Sequence, residues 1–418
     1  MEQKNPDISS LIAHYQKFGS VIFLDSQKEN HGASQKSYLA AKPRCWIKSN
    51  EESIIVFEDG EERTLDGNPW KELQLFKNRQ KDWLFGYLGY DLKNYTENLS
   101  SSNEKVSVIP DMYFMVPDVL IEIDSLGELT YLMGSYKGVN LEKTEGDSFS
   151  FGKQKKINKD EYLKKINLAK EQIFEGEYYE INLSHPIKYS FEGSPFELFQ
   201  RMKKEGAVPF AAYLSIDDFF VCSSSPERFL SRKSNIVRSQ PIKGTKPSNG
   251  VSDQITRQQL QNSEKERAEN LMIVDLVRND LSRFAIKGSV EVEELFEIQS
   301  FETVHQMVST IKCEVEKATD SIDIIKSCFP MGSMTGAPKI SAMKAIEELE
   351  DYRRGIYSGA IGYITPDDEF DFNVVIRTAI INQGTLIYPT GGAITSDSNP
   401  EEEWEETLLK SKALTNVI

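Results

Sequence analysis

The chain contains little cysteine for its length, with four in 418 residues and none in a Cys-x-x-Cys spacing. Scattered cysteines of this kind indicate reduced thiols rather than a disulfide framework or a zinc site. Long apolar runs are also absent: none approaches 18 residues, and the first residues lack the apolar segment of a signal peptide. We therefore expect a soluble cytoplasmic protein with no membrane partner.

An excess of positive charge is missing as well. The 65 acidic and 49 basic residues give a formal net charge of −16. This balance argues against nucleic acid or an anionic membrane surface as the main partner. An anionic ligand would need a local cation to overcome the background charge.

Neither of two common phosphate-binding patterns, Gly-x-x-x-x-Gly-Lys-Ser/Thr and Gly-x-Gly-x-x-Gly, is present. The small residues of 332–339 instead predict a loop before a helix, whose backbone N–H groups could hold an anionic group. A second small-residue segment, 390–394, is predicted to be a turn, either a tight β-turn with no ligand or one where backbone meets a ligand.

The order of predicted elements indicates an α+β protein with large antiparallel sheets and flanking helices, because strands and helices mix without a regular βαβ alternation. Short β-like runs dominate a predicted N-terminal lobe, residues 1–136. The polar, glycine-containing segment 137–157 is the predicted linker, and residues 158–418 form the second lobe. A hydrophobic content of 39% is enough for one big domain or two lobes.

Within the second lobe, a helix is predicted to begin after Asn158, with Glu161 three residues on as in a capping box, and to end at Gly176. A hairpin is predicted around Asp217 and Asp218. The remaining predictions are helices near 264–280, 338–350 and 400–415, and strands near 179–183, 359–365, 372–381 and 385–389.

Lys243 lies between Pro241 and Pro247 in a segment that predicts a turn. A lysine held there and stripped of water would have a lowered pKa and a nucleophilic amine. The alternative is a solvated lysine on a surface turn.

Two pairs of glutamates have the same i,i+3 spacing on predicted helices: Glu266 with Glu269, and Glu403 with Glu406. This spacing places both carboxylates of a pair on one helix face. Two pairs that face each other across a cleft would make an all-oxygen Mg²⁺ site. Taken singly, each pair has an ordinary explanation, since glutamate is favoured at helix starts and Glu406 with Lys410 is a common i,i+4 ion pair.

Two further residues have both a structural and a functional interpretation. His305, in a mostly apolar stretch, is either a satisfied core residue or a group that transfers a proton or bonds a substrate hydroxyl. Arg377 is a charge within an apolar strand and needs an anionic partner, either internal or bound.

Taken in order along the chain, several segments together resemble the chorismate-utilising enzymes, a family that includes anthranilate synthase component I and the isochorismate and salicylate synthases. The matching segments are 225–228, 241–247, 266–280, 332–339, 359–363, 391–398 and 403–407, with weaker matches at 23–26 and 85–91. The resemblance covers most of the chain and implies an anthranilate synthase component I-like fold.

The resemblance also implies roles for individual residues. The four glutamates named above would surround Mg²⁺, which holds the ring carboxylate of chorismate. The substrate-binding residues would be Ser333, Tyr363, Arg377, Gly391, Gly392, Ala393 and Lys410. The catalytic residues would be Lys243, Glu227 and His305.

Within the family, lysine at position 243 is typical of members that form 4-amino-4-deoxychorismate for para-aminobenzoate and folate synthesis, whereas anthranilate synthases carry alanine. The implied reaction begins with attack of Lys243 on C2 while Glu227 protonates the departing C4 hydroxyl. Ammonia from a separate glutamine amidotransferase subunit then adds at C4. One alternative is an anthranilate synthase component I or a dual-use synthase. The other is a non-catalytic chorismate-binding or regulatory subunit, and the intact set of catalytic residues counts against it.

Three positions depart from the family pattern or leave a question. Glu180 stands where amide-transferring members more often carry glutamine and isochorismate-forming members carry a water-activating lysine. Lys246 replaces a more usual arginine. Residues 24–26 resemble part of a tryptophan-binding motif, and whether tryptophan binds stays open.

Overall fold

The computed structural model describes residues 7–26, 36–135, 148–152, 158–205, 208–247, 253–300 and 304–417. The helices are α1 Ile8–Gln16, α2 Pro69–Gln80, α3 Lys159–Glu175, α4 Pro195–Glu205, α5 Gln254–Gln261, α6 Glu264–Ser282, α7 Ser321–Cys328, α8 Lys339–Leu349, α9 Pro400–Lys410 and α10 Lys412–Thr415, with 3₁₀ turns at Tyr90–Tyr95 and Gly332–Met334. No helix of the described residues is both long and apolar enough to cross a membrane.

The strands alternate with these helices irregularly along the chain. They are β1 Val21–Asp25, β2 Ser37–Asn50, β3 Ser53–Glu58, β4 Glu61–Asp66, β5 Leu84–Leu88, β6 Met112–Ile123, β7 Leu129–Met133, β8 Phe149–Phe151, β9 Glu180–Gly193, β10 Phe210–Ile216, β11 Phe219–Ser225, β12 Arg228–Lys233, β13 Ile236–Gln240, β14 Ile242–Pro247, β15 Glu291–Ser300, β16 Val304–Glu314, β17 Gly336–Ala337, β18 Ala360–Ile364, β19 Phe370–Asn373, β20 Thr378–Asn382 and β21 Thr385–Ile394.

The strands form an antiparallel network with two branches that share the long strands β2 and β6. One branch runs β4–β3–β2–β6–β5–β18–β19–β12–β13–β16, with β14 and β15 also beside β16. The other runs β7–β6–β2–β1–β10–β11–β20–β21–β9, with β8 and β17 beside β9. This architecture confirms the predicted α+β class with large antiparallel sheets.

The alternation of side chains along the strands divides the core between the two faces of each branch. Leu214 and Ile361, for example, belong to a cluster that joins strands of both branches. Tyr213, next to Leu214, belongs instead to an outer cluster with α1, α4 and α10. Helices α2, α6 and α7 cover the outside of the first branch, and α3, α8 and α9 pack around the start of β9.

Strands from both predicted lobes pair side by side. Strand β1 pairs with β10, and β5 pairs with β18. The division of the chain at a linker stays a prediction. Most of residues 137–157 lies outside the described residues, and the described part, 148–152, contains β8, which pairs with β9.

Most predicted elements after residue 158 are confirmed. Asn158 caps α3 by accepting a hydrogen bond from the Glu161 N–H, and Gly176 ends it with a φ of 87°. Asp217 turns the β10–β11 hairpin, also with a positive φ. The predicted helix near 400–415 is divided into α9 and α10 at Ser411.

Three local predictions were wrong. Residues 242–247 form strand β14 rather than a turn, with a register shift at Gly244, whose φ is 77°. The segment 390–394 lies inside β21 and is not a turn. The predicted strand 372–381 is two strands, because Arg377 between them has a φ of 50° that interrupts the extended backbone.

A buried ion pair fixes the end of α8 against the start of β9. Glu350 and Arg354 are joined by two hydrogen bonds of 2.6 and 2.9 Å, and both side chains are 1% exposed. The same carboxylate accepts from the backbone and hydroxyl of Ser184, while the guanidinium donates to the carbonyls of Met334 and Asn182. The pair therefore anchors segments on both sides of the candidate site described below.

We expect Glu350→Gln to destabilise the fold by about 3–5 kcal/mol, because Arg354 would keep its charge in the interior without a compensating carboxylate. Glu348→Gln, an exposed change on the same helix, is the control and should shift stability by no more than about 0.5 kcal/mol. Thermal and urea unfolding of the two variants measure the difference. Equal stability of the two variants would contradict the structural role of the pair.

Candidate active site

A lysine and a glutamate meet where β14 and the first residue of β9 approach each other. The Nζ of Lys243 lies 2.5 Å from Oε1 of Glu180, and the residues are only 8% and 1% exposed. The other carboxylate oxygen, Oε2, is buried and has no hydrogen-bond partner among the described residues. Both charges are therefore held away from bulk water, with one acceptor atom left unused.

The pKa of Lys243 differs in direction from the sequence prediction. Burial lowers it, as expected, but the carboxylates of Glu180, Glu269 and Glu227 outweigh burial and raise the pKa above its ordinary value. The expected lowering was wrong for the ligand-free protein because the sequence pattern did not reveal how many carboxylates surround the amine. The resting lysine is an ammonium ion, and it must transfer a proton before it can attack.

Glu227 lies between β11 and β12, with its side chain in the interior. Burial raises its pKa to about 7, although the Ser333 hydroxyl donates to Oε1 at 2.7 Å and Lys243 acts in the opposite direction. Ser333 belongs to the 3₁₀ turn before α8. A carboxylic acid with this pKa can hold a proton near neutral pH and release it, as a general acid requires.

The four paired glutamates lie in the first two turns of α6 and α9. Ser263 caps α6 and Asn399, followed by Pro400, caps α9, which agrees with the predicted start of α9. Helix N-termini favour negative charge in the first turn, where Glu266 and Glu403 lie. The four glutamates are Glu266, Glu269, Glu403 and Glu406.

Several contacts bring the two helix starts together. The Nζ of Lys265 lies 4.0 Å from Oε1 of Glu269 on α6 and 4.0 Å from Oε1 of Glu403 on α9. A Cβ at Gly392 would lie 3.3 Å from Oε2 of Glu403 and 3.7 Å from Oε1 of Glu406. The structure thus places both pairs in one region, beside β21.

The same region reaches strand β14. A Cβ at Gly244, next to Lys243, would lie 2.7 Å from Oε2 of Glu266. Glycine with a positive φ is required there, both for the backbone conformation and to make room for the carboxylate. The lysine and the four glutamates therefore belong to one site.

The carboxylates of this site have too few positively charged neighbours to offset their own charges. Burial raises the pKa of Glu269 to about 7 and raises those of Glu266 and Glu403, whereas Lys410, 2.6 Å away, lowers that of Glu406. As they stand, no three acidic, histidine or cysteine side chains of the described chain converge closely enough to hold a metal. The donor set nevertheless suits Mg²⁺ in kind, because four carboxylates on two helices offer only oxygen ligands.

Arg377 points to an anionic ligand. Its burial lowers the pKa of the guanidinium, against the opposing effects of Tyr388 and Glu227. Within the described parts of the chain, its side chain forms no hydrogen bond or ion pair, and its φ of 50° is unusual for an arginine. Arg377 is half-buried and has no carboxylate partner among the described residues, so a ligand carboxylate could pair with its guanidinium. Tyr388, which sequence reasoning missed, lies within electrostatic range of it.

Residues Gly391, Gly392 and Ala393 lie in β21 and pair with β9 along one edge. Along the other edge, β20 pairs only with residues 385–387, so among the described strands none covers residues 390–394 there. Lys410 donates from Nζ to the Gly391 carbonyl at 3.0 Å. This open edge leaves backbone groups beside the glutamates available to a ligand.

His305, in β16, is fully buried. Its Nδ1 is 2.8 Å from the Ser300 hydroxyl, while Nε2 has no partner among the residues that the structure describes. The register of β14 and β16 places it opposite Lys246, two positions from Met307, which is opposite Lys243. It therefore lies near the site with one nitrogen unused, and its catalytic role stays a prediction.

Tyr363 is the one predicted site residue that the structure places elsewhere. Its ring packs with those of Tyr38 and Trp83, at centroid distances of 5.2 and 5.6 Å. Tyr363 and Tyr38 border a cavity lined also by residues 24–26, the segment that resembles part of a tryptophan-binding motif. Tyr357, six residues earlier, is instead buried near Tyr388, on the side of Arg377.

The structure resembles solved members of one fold. Anthranilate synthase component I from Streptococcus pneumoniae has a TM-score of 0.77 at 25% identity, covering 93% of this chain and 95% of that one. MenF, the menaquinone-specific isochorismate synthase of Escherichia coli, has a TM-score of 0.78 at 18% identity, covering 99% of this chain and 92% of the other. These likenesses agree with the predicted anthranilate synthase component I-like fold.

Sequence relatives carry more specific names. Aminodeoxychorismate synthase component 1 of Escherichia coli is 32% identical over 413 residues, which cover 93% of this chain and 91% of that protein. A probable chloroplastic aminodeoxychorismate synthase of rice is 36% identical, but the chain spans only 46% of its length. Anthranilate synthase component 1 of Saccharolobus solfataricus is 33% identical over 81% of each chain. The model of the chorismate binding enzyme family matches residues 20–416, and the chain belongs to that family of enzymes.

Proposed function

We propose that this protein aminates chorismate with ammonia to give 4-amino-4-deoxychorismate. The observation that carries the proposal is the buried Lys243, whose amine lies 2.5 Å from a proton acceptor on Glu180, within a site that also holds Glu227. Several relatives named aminodeoxychorismate synthase support the same choice of product.

The first step is activation of the lysine. Neighbouring carboxylates raise the pKa of Lys243 and outweigh the lowering by burial, so its ammonium must lose a proton before it reacts. Oε1 of Glu180 is the acceptor in direct contact. The neutral amine then attacks C2 of chorismate. The two conjugated ring double bonds each shift by one position, and the C4 hydroxyl leaves as water with the proton of Glu227, whose burial holds its pKa at about 7.

In the second step ammonia adds at C4, the two double bonds shift back, and the C2–Nζ bond breaks. Lys243 leaves as an amine, and the proton lost by the incoming ammonia returns to the carboxylates of the site. The balance is chorismate plus ammonia to 4-amino-4-deoxychorismate plus water. The lysine thus directs the incoming nitrogen to C4 by occupying C2 first.

Chorismate carries two carboxylates, and a protein of net charge −16 must supply local positive charge to bind each of them. Mg²⁺ held by the four glutamates would bind the ring carboxylate and, as a Lewis acid, make C2 more electrophilic. Arg377 and the open backbone edge at 391–393 would bind the enolpyruvyl carboxylate. Ser333 and Lys410 would be further substrate-binding residues. His305 would serve as a hydrogen-bond or proton-transfer group.

Ammonia is proposed to come from a glutamine amidotransferase partner in the cytoplasm, and the product would serve para-aminobenzoate and folate synthesis. The test of function needs no partner, because an ammonium salt at mildly alkaline pH supplies ammonia directly. Chorismate, MgCl₂ and ammonium chloride are incubated with the protein, and products are separated by chromatography and identified by mass. A 4-amino product supports the proposal; anthranilate would assign the ortho-aminating reaction instead.

We expect Arg377→Gln to lower kcat/KM for chorismate by about 10- to 100-fold, mainly through a higher KM. Loss of a charge-assisted hydrogen bond to a carboxylate costs about 1.5–3 kcal/mol. Steady-state kinetics at fixed ammonia measure the effect, and Arg278→Gln, an exposed change on α6, is the charge-matched control. An unchanged KM would remove Arg377 from the substrate site.

A further inference from the structure

A lysine that the reaction does not use stands among the four glutamates. Lys265 is the second residue of α6, one position before Glu266 and four before Glu269. Its amine lies 4.0 Å from a carboxylate oxygen on each of the two helices. All four glutamates, including Glu403 and Glu406, lie within its electrostatic range.

The Lys265 amine lies between the two carboxylate pairs. Mg²⁺ binds oxygen at about 2.0–2.1 Å, so an ion shared by the two helices must draw their carboxylates together. The Lys265 amine lies about twice that distance from one carboxylate oxygen on each helix, so it bridges the two pairs without the close approach that a metal ion requires. In the described ranges no three acidic, histidine or cysteine side chains stand ready to ligate a metal, and the Lys265 ammonium lies between the two pairs in this open arrangement.

The Lys265 side chain can also move out of the glutamate cluster. Its side chain is 55% exposed, and both of its ion pairs are at the 4.0 Å limit of such contacts. Contacts of this length and exposure are weak and easily exchanged. A divalent ion in the same space would repel the ammonium, and a flexible four-carbon stem lets it move into solvent.

We propose that Lys265 is a tethered cation that neutralises the carboxylate cluster when Mg²⁺ is absent and competes with Mg²⁺ for it. This inference rests on the proposed Mg²⁺ site. By reducing the affinity of the cluster for a free cation, the lysine would make metal binding depend on the added carboxylate of chorismate. It would also limit the repulsion among the glutamates in the metal-free protein.

Calorimetric titration of the substrate-free protein with MgCl₂ tests the proposal without using activity. Lys265→Gln is expected to bind Mg²⁺ about three- to tenfold more tightly than the unchanged protein, and this difference should shrink at high salt. Lys265→Arg, which keeps the charge, should bind as the unchanged protein does. Lys71→Gln, an exposed change on α2, controls for the change in net charge.

Each outcome is decisive. Tighter binding by Lys265→Gln alone supports competition, whereas equal or weaker binding overturns it and leaves the metal site standing. Glu403→Gln should weaken the titration if Mg²⁺ binds at this cluster. If neither the unchanged protein nor any variant binds Mg²⁺, both the proposed site and the competition are overturned.

Discussion

Lys243→Ala is expected to lower the rate of 4-amino-4-deoxychorismate formation by about a thousandfold or more. The change removes the only group proposed to attack C2, and covalent catalysis of this kind divides one difficult displacement into two easier ones. Ammonia would then have to react at the ring unaided, and any remaining amination is expected at C2. Product analysis at saturating chorismate and ammonium measures both the rate and the position of the amine.

The variant also leaves Glu180 without its ammonium partner in a buried position. An unpaired buried carboxylate costs several kcal/mol, so loss of activity alone could reflect loss of fold. Lys243→Met combined with Glu180→Gln removes both charges and should fold as well as the unchanged protein. Lys246→Ala on the same strand should keep activity within a few-fold. Unchanged 4-amination by Lys243→Ala would overturn the nucleophile role.

Glu227→Gln is expected to lower kcat by about a hundred- to ten-thousandfold, the usual contribution of a general acid. The amide preserves the acceptor of the Ser333 hydrogen bond but cannot deliver a proton to the C4 hydroxyl. Chorismate affinity should change little, so the loss should fall on kcat rather than KM. Glu192→Gln, an exposed change on β9, is the matched control.

The same variant should gain stability at alkaline pH. Burial raises the folded-state pKa of Glu227 from its ordinary value of 4.5 to about 7. Its contribution to stability is therefore fully present below pH 4.5 and is lost as pH rises through 7, because the folded protein must then hold a buried charge. A shift of this size corresponds to about 3 kcal/mol.

Glu227→Gln has no such charge, so it should be as stable as the unchanged protein at pH 5 and more stable at pH 8. Urea unfolding of substrate-free, metal-free protein at both pH values measures the difference. A stability difference that is the same at pH 5 and pH 8 would contradict the raised pKa. Together with the kinetics, this result would show a carboxyl kept in place for activity at a cost in stability.

Local signals in the sequence predicted a good part of this fold. Helix α9 was predictable because an N-cap residue, Asn399, and Pro400 mark its start. Helix α3 was predictable because Asn158 and Gly176 lie at the two ends of an amphipathic segment. The β14 segment was not, because its prolines suggest a turn, whereas pairing with β16 holds it extended with a bulge at Gly244. The break at Arg377 was also missed, since a positive φ in a non-glycine residue leaves no local sign.

The part of the site that the sequence predicted is the part in which residue spacing along a helix places side chains on one face. The i,i+3 glutamates meet in space because each pair lies on one helix start, although only the fold shows that α6 and α9 face each other. Glu180 could not be paired with Lys243 from sequence, since 63 residues separate them. Lys265 carried a usable signal, an i,i+4 relation to Glu269, which was overlooked.

The most direct test of the account is the mass of the intact protein after mixing with chorismate and MgCl₂ in the absence of ammonium. The account predicts a gain equal to chorismate less one water, located by peptide mapping on Lys243. Addition of ammonium should remove it and release 4-amino-4-deoxychorismate. A protein that stays unmodified at saturating chorismate, yet turns over as soon as ammonium is added, would contradict a covalent role for Lys243.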